Sequence, residues 1–274
     1  MTQIAHPGPL LARVGNTLAA WAVALLWVAP LLYLLAAALS PALISQHSEH
    51  WFTLENLQLA WQAAPFARYL LNTFMLVTLL LASQLLVCTL AAYALARCRF
   101  VGRQLIFGLV LLQLMIMPEA LIVENYRLIA NLGLVDTLGG IALPYVASAF
   151  GIFLLRQTFM QVPQELEDAA RVEGLGRFAI LWQIYVPLAR PTYLAYALVS
   201  LSYHWNNFLW PLVITNTPAS RPVTVGMALF VSPETGVNWG ILSAGTLITV
   251  LPLLLAFLLG QRHFIQSFMQ AGVK

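Results

Sequence analysis

Long apolar runs, separated by short polar segments, make up most of the chain. A helix needs about 20 apolar residues to cross a bilayer. Runs close to this length predict six membrane-spanning helices, at about Val14–Leu39, Tyr69–Ala96, Gln104–Pro118, Leu138–Leu155, Thr192–Ile214 and Trp239–Gly260. The first contains Pro30, and the third is short and is expected to continue past Glu119 as a bent or partly external helix. The pattern predicts an all-α integral membrane protein with six transmembrane helices.

The composition excludes a water-soluble globular protein. Hydrophobic residues make up 61% of the 274 residues and charged residues 8%, whereas a soluble domain has about 25% charged residues. The first apolar run is too long for the core of a cleavable signal peptide, so we expect a retained anchor. Cys88 lies in an apolar run and Cys98 among arginines. Without metal-ligand spacing, both are expected to be free thiols.

The basic residues predict which helix ends face the cytoplasm, because cytoplasmic loops carry an excess of Lys and Arg. With the N-terminus inside, the cytoplasmic set is Arg13, Arg97, Arg99, Arg103, Arg156, Arg171, Arg177, Arg190, Arg262 and Lys274. The outside set is Arg68, Arg127 and Arg221. Both termini are therefore expected in the cytoplasm. Residues 1–13 form the N-terminal segment, 14–262 the transmembrane domain and 263–274 a C-terminal tail.

The predicted spans carry no group that would drive transport by itself. No Asp, Glu, Lys or Arg lies well inside them, whereas ion-coupled transporters usually carry such groups as relays. A phosphate-binding (Walker A) loop needs glycines followed by Lys-Ser/Thr, and the chain's only lysine is Lys274. No metal-ligand cluster and no catalytic arrangement is evident. Energy for uphill transport would have to come from a partner.

An acidic segment interrupts this charge-poor chain between the fourth and fifth predicted spans. Its acids lie within nine positions: Glu165, Glu167, Asp168 and Glu173. Pro163 is favoured at the first position of a helix, and Gly174 supplies a left-handed stop, so a short helix is predicted between them. A second helix is predicted from about Arg177 to Val186, limited by Pro187.

The first of these helices suits a protein partner better than a lipid surface. Helices that lie on the inner leaflet usually carry a basic face, because that leaflet is negative, and this helix is mainly acidic. Ala169 and Ala170 are small, so another surface can approach the helix closely. Glu167 and Arg171 lie four residues apart with the acid first, and are expected to pair on its surface.

The sequence around this helix resembles the membrane-spanning permease subunits of binding-protein-dependent ABC importers. These carry a loop of the form E-A-A-x-x-D-G-A, with a proline in an I-x-L-P ending thirteen residues after the glycine. Here DAARVEGL starts at Asp168, and IYVP ends at Pro187, thirteen positions after Gly174. Leu175, in place of the family's alanine, is the bulkiest departure. NLGLVDTLGGIALPY, FLLRQTFMQVPQELEDAA and WNNFLWPL are similar to the carbohydrate-importer branch, especially the second permease of the glycerol-3-phosphate and maltose importers.

The resemblance implies the type I ABC importer permease fold and a multi-pass location in the bacterial cytoplasmic (inner) membrane. It implies as partners a second permease, two ATP-binding-cassette ATPase subunits and a periplasmic or lipoprotein solute-binding protein, and no nucleic acid. ATP and Mg²⁺ would be bound by the ATPases, so this chain is expected to be a transporter subunit without a cofactor of its own. The loop 163–190 would couple ATP hydrolysis to transport through Glu167, Asp168, Ala169, Ala170, Arg171, Glu173, Gly174 and Pro187.

A polar and aromatic cluster in the fifth predicted span is a candidate substrate path, formed by Tyr203, His204, Trp205, Asn206, Asn207 and Trp210. Aromatic rings and amides suit a sugar or polyol, but such residues also hydrogen-bond and pack between membrane helices, and both interpretations stay open. The external segment 216–238 either faces the solute-binding protein or is a simple surface connection. Arg127 or Arg221 could attract an anionic solute.

Two other classes of function stay in view. A stand-alone channel or facilitator for small polar solutes would conduct without ATP, whereas an importer permease would need its partners. An intramembrane enzyme would show a Ser–His or paired-Asp arrangement within the spans, which the sequence lacks. The sequence favours an importer subunit for a carbohydrate or a polyol phosphate such as sn-glycerol-3-phosphate.

Overall fold

The structure, a computed structural model, describes residues 10–40, 52–228, 231–232 and 236–272. Its α-helices are α1 Leu10–Leu39, α2 Glu55–Ala63, α3 Phe66–Arg97, α4 Arg103–Gln113, α5 Ile122–Asn131, α6 Leu138–Ala142, α7 Ala149–Gln161, α8 Gln164–Val172, α9 Arg177–Ile180, α10 Val186–Leu188, α11 Arg190–Asn206, α12 Leu209–Ile214, α13 Val223–Ala228 and α14 Trp239–Gly272. Turns of 3-10 helix lie at Pro118–Leu121 and Leu143–Tyr145, and a π-helical turn at Leu181–Tyr185. The predicted N-terminal segment, C-terminal tail and external segment lie partly outside the described residues.

Three helical stretches are long and apolar enough to cross a membrane: Val14–Leu39, Phe66–Arg97 and Trp239–Leu258. They correspond to the first, second and sixth predicted spans. Two bent helix pairs reach the same length, so the described residues contain up to five candidate spans. The strands β1 (Val231–Ser232) and β2 (Gly236–Val237) form a two-residue antiparallel pair, a small exception to the all-α prediction.

The third predicted span is bent, as expected, and the bend lies at a proline. α4 ends at Gln113, the chain resumes helical backbone at Pro118, and the two halves of the pair make an angle of 96°. Proline disfavours helical backbone in the residue before it, and Met117 is extended, with φ −66° and ψ 131°. The apolar run therefore continues through a change of direction.

The fourth predicted span, Leu138–Leu155, is not a single straight helix. α6 and the following 3-10 turn form its first half, α7 forms the second, and the pair bends by 45°. Ser148 precedes α7 with extended backbone, and its Oγ accepts the amide of Gly151 at 3.1 Å. A serine cap satisfies a donor that the start of a helix leaves free. The apolar run thus contains a second helix start.

The prediction of one continuous fifth span, Thr192–Ile214, is wrong. α11 ends at Asn206, and α12 starts at Leu209 after the extended Asn207, which has φ −64° and ψ 124°. α11 has 17 residues, which rise about 25 Å, less than the hydrocarbon core of about 30 Å. A span in this part of the chain needs α12 to complete it.

The helices α3, α7 and α11 pack together in the larger of two compact units, residues 65–229 with 249–274. They approach closely at Gly151 of α7. A Cβ atom there would lie 2.8 Å from the ring of Tyr196 and 3.0 Å from Sγ of Cys88. Small residues let membrane helices approach closely, so Gly151 sets the spacing of these helices. Cys88 and Cys98 are free thiols, as predicted.

The smaller unit comprises residues 1–64 with 230–248 and contains α1 and α2. Asn56 of α2 is buried, and its Nδ2 donates to the carbonyls of Ala38 and Ser40, both at 3.1 Å. These carbonyls lie at the C-terminal end of α1, where a helix leaves acceptors without internal partners. α2 therefore caps the end of the first apolar helix.

Candidate functional site

The helix α8 occupies the predicted position of the coupling helix. Pro163 is extended (φ −57°, ψ 139°), so it precedes the helix and is not its first residue. Gly174 has φ 84°, and its amide donates to Arg171 O while the amide of Leu175 donates to Ala170 O, both at 3.0 Å. This is the helix ending in which glycine adopts the left-handed conformation at little steric cost. The predicted glycine stop is confirmed.

Leu175, the bulkiest departure from the family pattern, has a packing role. It is half-buried and packs against a core cluster that includes Ala170, Ile180 and Leu181. An apolar residue directly after the glycine often contacts the last turn of the helix in this kind of ending. The leucine therefore fills the space between α8 and α9.

The residues predicted to couple to a partner fall into two groups. The first group is exposed and forms the outward face of α8 and its end: Asp168, Ala169, Arg171, Glu173 and Gly174. In the second group, Glu167 and Ala170 are 2% and 5% exposed, and Pro187 is half-buried. The second group faces the protein interior, so in this conformation its contribution is to the shape of the loop.

Exposed apolar side chains lie beside this acidic face. Val172 and Phe178 leave 90% and 72% of their surface exposed, and Leu166 and Trp182 are also exposed. Apolar patches on a surface mark contact sites for proteins or membranes. The helix among these side chains is acidic, whereas helices that lie on a negative membrane surface usually carry a basic face, so a protein is favoured over lipid as the neighbour.

Glu167 is the centre of a buried charged cluster under α8. Its Oε1 accepts from Nη2 of Arg171 and its Oε2 from the hydroxyl of Tyr185, both at 2.5 Å. Nε of Arg97 lies 4.0 Å from the same Oε2, and its guanidinium carbon lies 5.3 Å from the centroid of the Tyr185 ring. The Glu167–Arg171 pair is confirmed, but its carboxylate faces inward. A buried carboxylate needs partners of this kind.

Arg97 ties this cluster to the transmembrane helices. It is the last residue of α3, and its Nη2 donates to the carbonyls of Phe159 (2.9 Å) and Val162 at the end of α7. Its Nη1 donates to Oε1 of Gln164, the first residue of α8, at 3.3 Å. One guanidinium therefore joins the ends of α3 and α7 to the start of α8. A displacement of α8 would be transmitted to both helices.

The second predicted helix, Arg177–Val186, does not end before Pro187. Helical backbone continues through α9, the π-helical turn and α10 to Leu188. A π turn contains one extra residue and changes the helical hydrogen bonding, which accommodates a proline that would otherwise clash with the preceding turn. The prediction that Pro187 limits the helix is wrong for this reason.

The π turn also places Tyr185 against Glu167. Burial raises the pKa of the Tyr185 hydroxyl above its ordinary value, and its hydrogen bond to the Glu167 carboxylate raises the pKa further. The nearby charge of Arg97 acts in the opposite direction but does not prevail. The hydroxyl therefore stays protonated at physiological pH and remains a donor to the carboxylate.

A cavity of about 360 Å³ lies where the two bent helix pairs change direction. Gln113, Pro118 and Asn125 line it at the first bend, and Tyr145 and Ser148 line it at the second. The wall is completed from α3 and α11 by Gln84, Tyr196, Ser200, Tyr203 and His204. Non-helical backbone at membrane depth is tolerated where it is buried in protein or lines a watery cavity. The bends and the cavity are therefore parts of one feature.

Gln84 of α3 joins the walls of the cavity. Its Nε2 donates to the carbonyl of Tyr145 at 2.7 Å, at the bend where the helix is interrupted. Its Oε1 accepts the hydroxyls of Tyr196 (2.8 Å) and Ser200 (2.7 Å). The same Nε2 lies 3.0 Å from Nε2 of His204. One amide thus connects α3, the bent fourth segment and α11.

The structure separates the residues of the predicted substrate path. Tyr203 and His204 line the cavity. Trp205 and Trp210 are buried in packing positions. The indole N–H of Trp205 donates to Thr249 O at 3.3 Å, and that of Trp210 donates to Ile141 O at 3.1 Å. The helix-packing interpretation fits the two tryptophans, and the cavity interpretation fits the other two residues.

The two asparagines of that cluster lie outside the cavity wall. Asn206 is exposed, and its Nδ2 donates within its own helix to Ser202 O at 2.8 Å. Asn207 directly follows α11, and its carbonyl accepts the hydroxyl of Thr224 at 2.9 Å. Both asparagines act at the break between α11 and α12.

Asp136 fastens the segment after α12 to the loop before α6. Its backbone is left-handed (φ 61°), and its amide donates to Ile214 O at 2.9 Å. Its carboxylate accepts the amide of Asn216 (2.8 Å), the amide and hydroxyl of Thr217 (3.1 and 2.7 Å) and the hydroxyl of Ser220. Burial alone would raise the pKa of this carboxyl, but these hydrogen bonds outweigh it and hold the pKa well below its ordinary range.

We expect Asp136→Asn to cost about 1 kcal/mol at pH 7, since hydrogen bonds to a charged acceptor stabilise by roughly 1.5–3 kcal/mol and solvent screens this site. Asparagine tolerates the left-handed backbone, so the substitution removes only the negative charge and one of the two acceptor oxygens. The unfolded pKa is about 3.9 and the folded pKa is lower. The contribution of this carboxylate to the free energy of unfolding is therefore complete above its pKa in the unfolded state. It is lost as the pH falls through its pKa in the folded state.

Thermal unfolding in detergent measures this effect. The variant should unfold at a lower temperature than the wild type at pH 7, and the difference should shrink below about pH 4. Glu124→Gln is the control, because it breaks only the exposed Glu124–Arg127 pair at 3.5 Å, which is expected to contribute little. Equal unfolding temperatures for Asp136→Asn and the wild type at pH 7 would show that the Asp136 carboxylate does not fasten the segment after α12 to the loop before α6.

Sequence reasoning missed four residues that organise these sites: Gln84, Arg97, Asp136 and Tyr185. Gln84 had a signal, because an amide in the middle of a long apolar run needs a partner inside the membrane. The other three have partners that lie far away in the sequence, and no local spacing identifies them.

Comparisons with known proteins give the family. Residues 14–269 match the family model described as binding-protein-dependent transport system inner membrane component. The chain is 34% identical over 224 residues, 79% of this chain and 80% of the relative, to the sn-glycerol-3-phosphate transport system permease protein UgpE of Yersinia pestis bv. Antiqua. It is 33% identical over 262 residues, 92% and 93% of the two chains, to the arabinooligosaccharides transport system permease protein AraQ of Halalkalibacterium halodurans.

Solved structures share the fold. A chain in the crystal structure of a bacterial ABC transporter involved in the import of the acidic polysaccharide alginate matches with a TM-score of 0.81 at 21% identity, over 96% of this chain and 100% of that chain. A chain from the alginate transporter in complex with an alginate pentasaccharide-bound periplasmic protein matches with a TM-score of 0.66 at 15% identity, over 91% and 94%. The chain belongs to the binding-protein-dependent transport system inner membrane components, the permease subunits of ABC importers.

Proposed function

We propose that this chain forms, with a second permease subunit, the translocation path of an ABC importer for a carbohydrate or a polyol phosphate. Two partner ATPase subunits bind ATP and Mg²⁺, and their motion enters this subunit through α8. The solute classes come from the relatives, which are permease proteins for sn-glycerol-3-phosphate and for arabinooligosaccharides. A solute-binding protein delivers the solute from the outside.

The observation that carries this proposal is the construction of α8. Its outward face is acidic and flanked by the exposed Val172 and Phe178, as a docking surface requires. Its inward face is held by Glu167 and, through Arg97, is linked to two transmembrane helices. Coupling by a moving partner needs an element that shifts as a rigid body. In this proposal the exposed residues of the loop touch the ATPase, and Glu167, Ala170 and Pro187 keep its shape.

We propose six spans with both termini in the cytoplasm. The three long helices and two bent pairs supply five spans, and α11 with α12 supplies the sixth. The excess of basic residues then lies on the cytoplasmic side, together with α8. The loop at Asp136 and the segment that follows α12 lie outside, where the solute-binding protein docks.

A crosslinking experiment tests the docking of α8. Ala169→Cys should form a disulfide with a cysteine in the ATPase subunit of the assembled complex, because Ala169 is exposed on the outward face. Ala170→Cys is the matched control. It is the same change one position along, at a side chain that is 5% exposed, and little crosslinking is expected. Crosslinking of Ala169→Cys to the solute-binding protein would reverse the topology.

The stand-alone facilitator is tested with the purified chain in liposomes. An importer permease without its partners should give no flux of sugars or glycerol-3-phosphate above empty liposomes. ATP-independent flux from the chain alone would contradict the importer proposal.

A further inference from the structure

The cavity at the helix bends has a chemical preference, and the inference drawn from it rests on the proposed function. We infer that this subunit itself contacts the solute in this cavity, and that the solute is a neutral polyhydroxylated molecule, a sugar or polyol. A polyol phosphate or an acidic sugar does not match the groups that line the cavity.

The hydrogen bonds of Gln84 determine the protonation of His204. The carbonyl of Tyr145 can only accept, so the group that faces it at 2.7 Å is the NH₂ of Gln84. That same nitrogen lies 3.0 Å from Nε2 of His204 and cannot accept a hydrogen bond. Nε2 of His204 must therefore be the acceptor, and the ring is neutral with its proton on Nδ1. The one lining residue able to become a cation is held uncharged.

Fixed positive charge is absent from the cavity wall in the described part of the chain, since none of the lining residues is Lys or Arg. A buried phosphate or carboxylate normally needs such groups. Glu119 directly follows the lining residue Pro118, and a carboxylate at that position repels anions. The N-terminus of α7 also faces the cavity, but the Gly151 amide already donates a hydrogen bond to Ser148 Oγ.

The free hydrogen-bonding groups of the cavity match hydroxyls. Among the described residues, the side-chain amides of Gln113 and Asn125 have no hydrogen-bond partner, and both line the cavity. An amide donates and accepts, as a hydroxyl does, whereas a fully ionised phosphate only accepts. These two amides are therefore the groups that we assign to the solute.

The shape of the cavity suits a sugar or polyol. The ring of His204 lies edge-on to Tyr145 (centroids 5.2 Å apart) and to Tyr203 (5.1 Å), which forms an apolar corner for C–H groups. The volume of about 360 Å³ is near the lower end of the roughly 300–1,000 Å³ usual for small-molecule sites. A short saccharide or a polyol is the expected occupant.

The test uses the complete complex in proteoliposomes, with its second permease, ATPases and solute-binding protein. The probes are neutral solutes (arabinose, arabinotriose, maltose and glycerol) and anionic ones (sn-glycerol-3-phosphate, glucose-6-phosphate and an alginate trisaccharide). We expect ATP-dependent uptake of a neutral probe. Uptake of anionic probes alone would overturn the inference while the proposed function stands. ATP-independent uptake, or no uptake of any probe, would count against both.

Variants of Asn125 show whether the cavity itself is used. Asn125→Ala and Gln113→Ala should each lower the rate of neutral-probe uptake about two- to tenfold, as expected for one lost hydrogen bond, with unchanged affinity of the solute-binding protein. Asn131→Ala is the matched control, since Asn131 is exposed at the end of the same helix as Asn125. Rates equal to that of the control would overturn the site.

Transport rates of variants with a negative or a positive charge at position 125 test independently whether the solute is neutral. For a neutral solute, Asn125→Asp and Asn125→Arg should transport at rates within about threefold of each other, because a charge–dipole contact depends only weakly on sign. For an anion, the Arg variant should exceed the Asp variant by about tenfold or more, since like charges repel and opposite charges attract. That second result would overturn the assignment of a neutral solute.

Discussion

Glu167→Gln is expected to uncouple ATP hydrolysis from transport. The change keeps the shape of the side chain but removes the charge that Arg171 and Arg97 share. Nε of Arg97 has no hydrogen-bond partner of its own and relies on the carboxylate 4.0 Å away. Removing one member of a buried charge pair costs about 3–5 kcal/mol. Because Arg171 is half-exposed, we expect about 2–3 kcal/mol here.

The measured quantity is the amount of solute imported per ATP hydrolysed by the assembled complex. A loosely held α8 would still contact the ATPase but would transmit less of its motion to α3 and α7. We expect this ratio to fall about tenfold, which corresponds to about 1.4 kcal/mol. Tyr185→Phe, which removes only one hydrogen bond to the carboxylate, should give a smaller loss of the same kind.

Glu165→Gln is the matched control for this experiment. It is the same substitution on the same helix, but Glu165 is exposed, so coupling through the inner cluster should be unchanged. If Glu167→Gln and Glu165→Gln behave alike in both coupling and thermal stability, the buried cluster has no role in holding α8.

Gln84→Leu is expected to have the largest effect on the stability of the helix bundle. The glutamine and leucine side chains have similar volumes. Leucine, however, leaves four groups without their shared hydrogen-bond partner: the Tyr145 carbonyl, the Tyr196 and Ser200 hydroxyls, and the His204 ring. Interhelical hydrogen bonds in membranes contribute about 0.6 kcal/mol on average and up to about 1.7 kcal/mol. Four such contacts give an expected loss of about 2–4 kcal/mol.

Unfolding in mixed micelles with increasing SDS measures this loss. Ser83→Ala is the control on the neighbouring position, because the Ser83 hydroxyl donates to Leu80 O within its own helix at 2.9 Å and joins no second helix. The Gln84 variant should unfold at a clearly lower SDS fraction than the Ser83 variant. Identical midpoints would show that the amide network does not hold α3, the bent fourth segment and α11 together.

Local signals predicted some helix ends correctly and others wrongly, for identifiable reasons. Gly174 was predicted as a left-handed stop, and it is one, because the preference of glycine for positive φ needs no tertiary partner. Pro187 was predicted to end a helix, and the helix continues, because a π turn accommodates the ring. Whether a proline ends a helix or is accommodated depends on the packing of the turn before it, which the local sequence does not contain.

At α8 and in the cavity, too, local signals were predicted correctly and long-range contacts were not. The charge and the alanines of α8 predicted a protein partner, and the family resemblance predicted a coupling role, but the sequence predicted a surface pair for Glu167. The structure buries that carboxylate beneath Tyr185 and Arg97, which lie 18 and 70 positions away in the chain. In the substrate path, two of six predicted residues line the cavity. The amide that organises the cavity, Gln84, was not predicted.

The sequence by itself determined the membrane class, the approximate positions of the apolar segments, the short acidic helix and its glycine ending. These features depend on hydropathy, on charge and on the backbone preferences of single residues, all of which are local. Only the tertiary structure decided that Glu167 faces inward, that the fourth and fifth segments are broken, and that Gln84 joins three segments around a cavity. Those features depend on which distant residues meet, and the cost of a buried polar group without a partner makes such meetings specific.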